Sequence, residues 1–125
     1  MKIATFISDR FRPYLPDRSQ VNPNVLGFEL AEWLSRALAA QCMVTSYPGN
    51  EDWGWYLEFA DGDDAYLICC SGSEEGGAYA WRVFVERRRR FFRRQHPPTP
   101  MQEELFDSVL DALHAEQIAV TVDEA

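Results

Sequence analysis

The sequence predicts an α+β fold, a two-layer sandwich with a mostly antiparallel sheet of about six strands and two helices on one face. Three observations predict it. Residues 23–41 and the stretch after Thr99 repeat apolar side chains at helical spacing. Between them lie four short alternating runs separated by Asp-Gly and Gly-Gly turn signals. One further strand-like run stands near each end of the chain, giving the order β-α-β-β-β-β-α-β. With 125 residues, 46% of them hydrophobic and 14% aromatic, residues 1–125 suit one domain with one packed core.

The elements follow in order. Residues 2–8, KIATFIS, alternate as a first strand. Residues 9–24 hold three prolines and no period, so they read as a long loop. Asn22-Pro23 offers an N-cap followed by a first-turn proline. Leu26, Leu30, Trp33, Leu34, Ala37 and Leu38 then line one face of a helix over 23–41, with Glu29, Glu32 and Arg36 opposite. CMVTSY, 42–47, reads as a second strand stopped by Pro48-Gly49. WGWYLEFA, 53–60, reads as a third, with Trp53, Trp55, Leu57 and Phe59 on one face.

A DGDD turn (61–64) leads to a fourth strand at 65–71, and GSEEGG (72–77) turns into a fifth at 78–86. In the fifth, Tyr79, Trp81, Val83 and Val85 face inward. Residues 87–98 form a basic connection. Thr99 caps a second helix, with Pro100 at its first position and Gln102 at its third, a capping-box spacing. Leu105, Phe106, Val109, Ala112 and Leu113 form its apolar face, and 118–124 makes the last strand. Consecutive strands with short turns favour a meander. The first and last strands each flank a helix, which leaves room for parallel pairings.

Net charge is −8, distributed unevenly. Residues 1–85 carry −6, residues 86–96 carry +5 and residues 97–125 carry −7. An acidic surface of this kind is drawn to basic partners and repelled by nucleic acid. No apolar run approaches the ~18–20 residues that span a bilayer, and the N-terminus does not read as a signal peptide. A cytoplasmic location is expected, with no membrane association. Cys42, Cys69 and Cys70 make neither a disulfide framework nor a metal-ligand spacing, so they read as small apolar filler. No cofactor is expected.

Catalytic constellations are not apparent. His96 and His114 lack a nucleophile placed by any motif. SGSEEGG is too acidic for a phosphate loop, and DGDDA lacks the frame of a calcium loop. Paired carboxylates remain. Alternate loops of a meander fall at one end of the sheet, so Glu51, Asp52, Glu74 and Glu75 are expected to gather there beside Trp53. A glycosidase-like acid pair is one reading of them. An acidic and aromatic surface that plugs a basic protein is the preferred one. The helix-free face is expected to carry Tyr56, Glu58, Leu67, Cys69, Arg82, Phe84 and Glu86, a mixture suited to a protein interface. Arg87, Arg88, Arg89, Arg90, Arg93 and Arg94, interleaved with Phe91 and Phe92, offer an alternative nucleic-acid contact. Pairing of these arginines with the acids of the second helix and its neighbours, with Phe91 and Phe92 tucked onto the core, is the plainer reading.

The segments NPNVLGFELAEWL, EDWGW and WRVFVE resemble small acidic, uncharacterised proteobacterial proteins of the immunity or inhibitor type. The resemblance implies a non-enzymatic inhibitor in a bacterial conflict system and assigns no residue a role. An immunity-type inhibitor of a basic toxin or nuclease is therefore expected. A phage-borne inhibitor of a host defence complex would look the same in sequence. A nucleic-acid-binding accessory protein using 87–94, and an enzyme using the acidic edge, are the alternatives from other classes. The oligomeric state is open.

Overall fold

The computed structural model describes residues 1–13, 25–88 and 98–124. Its elements are β1 (Lys2–Ile7), α1 (Phe28–Ala40), β2 (Gly49–Glu51), β3 (Gly54–Asp61), β4 (Asp64–Glu75), β5 (Ala78–Arg88), α2 (Pro100–Ala115) and β6 (Thr121–Glu124). They form the expected α+β arrangement: six strands in the order β2-β3-β4-β5-β1-β6, with both helices packed on one face. Every pairing is antiparallel, including β1 with β5 and β1 with β6. The parallel pairings considered for the end strands do not occur. β1 inserts between β5 and β6, so the α2 crossover joins two strands that are not neighbours.

The core lies between sheet and helices. Leu30, Ala31, Leu34 and Leu38 of α1 and Leu105, Val109 and Leu113 of α2 are buried against Leu57, Ile68, Cys70, Trp81, Val83 and Val85. Fully burying one such side chain is worth about 1.5–3 kcal/mol, so this interior sets the layer geometry. Phe11, beyond β1, adds an aromatic cluster, with its ring 5.2 Å from Trp33 and 6.0 Å from Trp81. Trp81 Nε1–H donates to the Ser8 carbonyl at 2.7 Å, tying that segment to β5.

Several boundaries differ from the sequence expectation. Helix α1 starts at Phe28 with Gly27 as N-cap, not at 23; Asn22 and Pro23 lie outside the described residues. Leu26 instead bridges Gly72 of β4, and Trp55 Nε1–H donates to the Val25 carbonyl at 3.2 Å. Tertiary pairing thus takes Leu26 out of the helix.

Residues 42–47 are not a strand. Cys42, at φ 66°, closes α1, with Met43 N–H donating to the Leu38 carbonyl at 2.9 Å. Pro48 has no N–H to continue a ladder, so β2 begins only at Gly49. Ser46 compensates in part: its N–H reaches the Glu58 carbonyl and its Oγ accepts from Glu58 N–H, both at 2.9 Å.

The 72–77 turn shrinks to Gly76-Gly77, whose φ values of 59° and 83° suit a two-residue hairpin. Residues 72–75 belong to β4 and residues 87–88 to β5. Thr99 caps α2 as expected, accepting from Gln102 N–H at 3.1 Å. The Gln102 side chain does not complete a capping box; it donates to the Val85 carbonyl at 2.8 Å and holds the helix to the sheet.

Candidate interaction surface

Strand alternation assigns each side chain to a face. Trp55, Leu57, Tyr66, Ile68, Cys70, Trp81, Val83 and Val85 enter the core. Their neighbours face away from the helices. Ladder register then groups this second face into rows: Glu58–Leu67–Glu86; Tyr56–Cys69–Phe84–Ile3–Asp123; Ser71–Arg82–Thr5–Thr121; and Ser73–Ala80–Ile7. The outward positions expected from the sequence for β3, β4 and β5 are therefore found.

The second row is apolar at its centre. Ile3 is 7% exposed and Cys69 fully buried, although neither belongs to the main core. The Cys69 thiol is pushed up to about 12, first by burial and then by the nearby Glu86 carboxylate. Trp53 contributes to the cover. It does not continue the face of Trp55 and Leu57, because β3 begins at Gly54 and Trp53 occupies the preceding turn. Its ring comes to 6.3 Å from Phe84, at 34°. Trp53 thus belongs to the helix-free face, a correction to its expected alternation. Gly54 permits the crossing: it is buried, and a Cβ there would collide with the Cys70 carbonyl.

Beside Trp53 the face sinks into an open groove of about 730 Å³. Trp53 forms one wall, and Thr5, Ile7, Ser71, Ser73 and Arg82 line the floor. Trp53 is 46% exposed and Ile7 74% exposed. The Arg82 guanidinium lies 5.6 Å from the centre of the Phe84 ring, within the range of a cation–π contact.

The expected acids are all exposed at the same end of the sheet, but they do not gather on one face. Glu51 opposes Gly54 and faces outward with Glu75, while Glu74 opposes Tyr79 and faces the helix side. The β4–β5 hairpin runs four residues past the Ser71 level, about 13 Å at the rise of a strand. Adding two strand spacings puts Glu51 and Glu75 on the order of 16 Å apart at Cα.

The arginine run divides. Arg87 donates to Asp64 Oδ1 at 2.6 Å and Arg88 to Glu58 Oε2 at 2.9 Å. Their partners come from β3 and β4, not from α2. Arg89, Arg90, Arg93 and Arg94 lie outside the described residues.

The residues that sequence reasoning missed are Ile3, Thr5 and Ile7. Their alternation was readable, but not that β1 sits beside β5. Among the described residues no helix is long and apolar enough to cross a membrane. No protein-family model, curated protein or solved structure matches this chain.

Proposed function

We propose that this chain is a non-enzymatic, acidic protein-binding inhibitor, acting in the cytoplasm as an immunity-type protein that neutralises a basic toxin or nuclease. The observation that carries this reading is the half-exposed Trp53, braced on Phe84 at the wall of a groove and flanked by Glu51 and Asp52. Aromatic anchors of this kind dominate binding energy at protein interfaces. Surrounding carboxylates speed encounter with a basic partner and select against acidic ones. The nucleic-acid alternative is weakened at Arg87 and Arg88, whose charges are already paired.

The test is growth rescue. The product of the gene adjacent to this one is expressed with and without the chain. The expected result is a basic, growth-inhibiting protein relieved by the wild-type chain. Relief should fall when Glu51→Gln, Asp52→Asn, Glu74→Gln and Glu75→Gln are combined. Undiminished rescue by that variant removes the acidic surface from the mechanism. A neighbour without toxicity or complex formation overturns the immunity reading.

A further inference from the structure

We propose that the groove on the helix-free face receives an extended, basic segment of a partner protein. One carboxylate of that segment pairs with Arg82, and one apolar side chain sits between Trp53 and Ile7. This deepens the inhibitor reading and rests on it.

The charge pattern of the face carries the proposal. Among the described residues, register places five acids on it (Glu51, Glu58, Glu75, Glu86 and Asp123) against two arginines. Arg88 is committed to Glu58. Arg82 forms no ion pair with any described residue; its guanidinium rests on Phe84 instead. In the ladder it stands between Ser71 and Thr5, at the floor of the groove. The site is therefore a cation with hydroxyl neighbours; among the described residues no acid lines the groove itself, and the five acids stand on the same face around it.

A complementary partner has the inverse pattern, basic at its flanks and acidic at one central point. A wholly basic segment would set like charge against Arg82. A guanidinium already oriented by a ring is suited to a carboxylate, which it can engage through two N–H groups. The apolar half of the recognition follows from the next row. Ala80 is small and leaves the depression open, while Ile7 and Trp53 present apolar surface at its sides.

The volume, about 730 Å³, falls within the ~300–1,000 Å³ of ligand-sized sites and admits side chains from a short extended segment. A second copy of this chain does not fit, because apposed faces would bring the two sets of five acids together. Nucleic acid does not fit either, since its phosphates would meet the five acids of this face.

The experiment titrates blocked heptapeptides into the isotope-labelled full chain at low salt. Binding is read from the Trp53 indole and Arg82 side-chain N–H resonances. One peptide has lysine flanks around Leu-Glu-Leu, the second has the same flanks around Leu-Gln-Leu, and the third replaces every lysine with glutamate. The first peptide is expected to shift both resonances and to bind about threefold or more tightly than the second, the scale of an exposed ion pair. That preference should vanish in Arg82→Gln, and Trp53→Ala should weaken both basic peptides. Equal binding of the two basic peptides, with Arg82→Gln silent, overturns the carboxylate contact and leaves the acidic-surface reading standing. Shifts with the acidic peptide alone, or with none, overturn the groove as a docking site. Growth rescue still decides the inhibitor reading in that case.

Discussion

Replacing Thr99 with valine keeps the side-chain volume and removes one hydroxyl. That oxygen serves two groups: it accepts from Gln102 N–H at 3.1 Å and shares a 2.6 Å hydrogen bond with the Tyr66 hydroxyl. Loss of the N-cap costs about 1 kcal/mol. Tyr66 is 1% exposed, so leaving its hydroxyl unpartnered costs about 1–3 kcal/mol more. Thr99→Val is therefore expected to destabilise the fold by about 2–4 kcal/mol, or roughly 8–16 °C in Tm at ~4 °C per kcal/mol for a domain of this size. Tyr66→Phe alone removes the hydroxyl and leaves the cap, at about 1 kcal/mol. In the Tyr66→Phe background, Thr99→Val should then cost only the cap. Urea denaturation of the four proteins measures this, with the m-value checked for constancy. A coupling of about 1–3 kcal/mol, the cost of the unpartnered Tyr66 hydroxyl, is expected. Additive single effects, or a Thr99→Val cost below about 0.5 kcal/mol, would refute the shared role of this oxygen.

Four further outcomes follow from particular contacts. A thiol reagent should titrate Cys42 alone in the native protein and all three cysteines in denaturant, because Cys69 and Cys70 are buried. Both buried thiols titrate above their ordinary value, Cys69 at about 12, with burial as the main cause in each. Their neutral forms stabilise the fold fully below pH ~8.5, the unfolded value. That stability is lost as pH rises toward the folded value, at about 1.4 kcal/mol per thiol per pH unit. Cys69→Ala should flatten this alkaline decline in a pH series of urea melts; an unchanged slope would contradict it. Gln117, at φ 61°, closes α2 in the left-handed region, with Ile118 N–H bonding the Leu113 carbonyl at 3.1 Å. Gln117→Gly should therefore stabilise by about 0.5–1 kcal/mol in thermal melts. Gly54→Ala should destabilise by about 1–3 kcal/mol or more, since the new Cβ meets the Cys70 carbonyl and sits 3.1 Å from the Ser71 Cβ; an unaffected Tm would mean the Trp53 turn relaxes freely.

The layers were legible because they depend on periodicity. Leu30, Leu34 and Leu38 recur at helical spacing, and Tyr79, Trp81, Val83 and Val85 alternate; burial follows both patterns. What escaped the sequence depends on contacts between distant residues. Leu26 pairs with Gly72 rather than joining α1, a competition that local propensity does not register. Residues 72–75 carry Gly, Ser and Glu, residues typical of turns, yet β5 pairs them through to Glu75. The site was half legible. Glu51, Asp52 and Trp53 read as surface from the sequence, while simple alternation puts Trp53 on the face of Trp55. Strand alternation has no force once the residue lies in a turn. Alternation puts Arg82 and Phe84 on the outer face, but the groove is not legible in the sequence, because it requires β1 beside β5.

The most direct test of the proposal is the affinity of the wild-type and Trp53→Ala chains for the product of the adjacent gene, the proposed basic partner, measured across ionic strength. The expected wild-type affinity weakens steadily with salt. Trp53→Ala should cost about 2 kcal/mol or more of binding, at least thirtyfold, while losing only about 0.5–1.5 kcal/mol of fold stability through the Phe84 contact. Binding that ignores salt and is equal in the two chains would contradict the acidic, tryptophan-anchored surface.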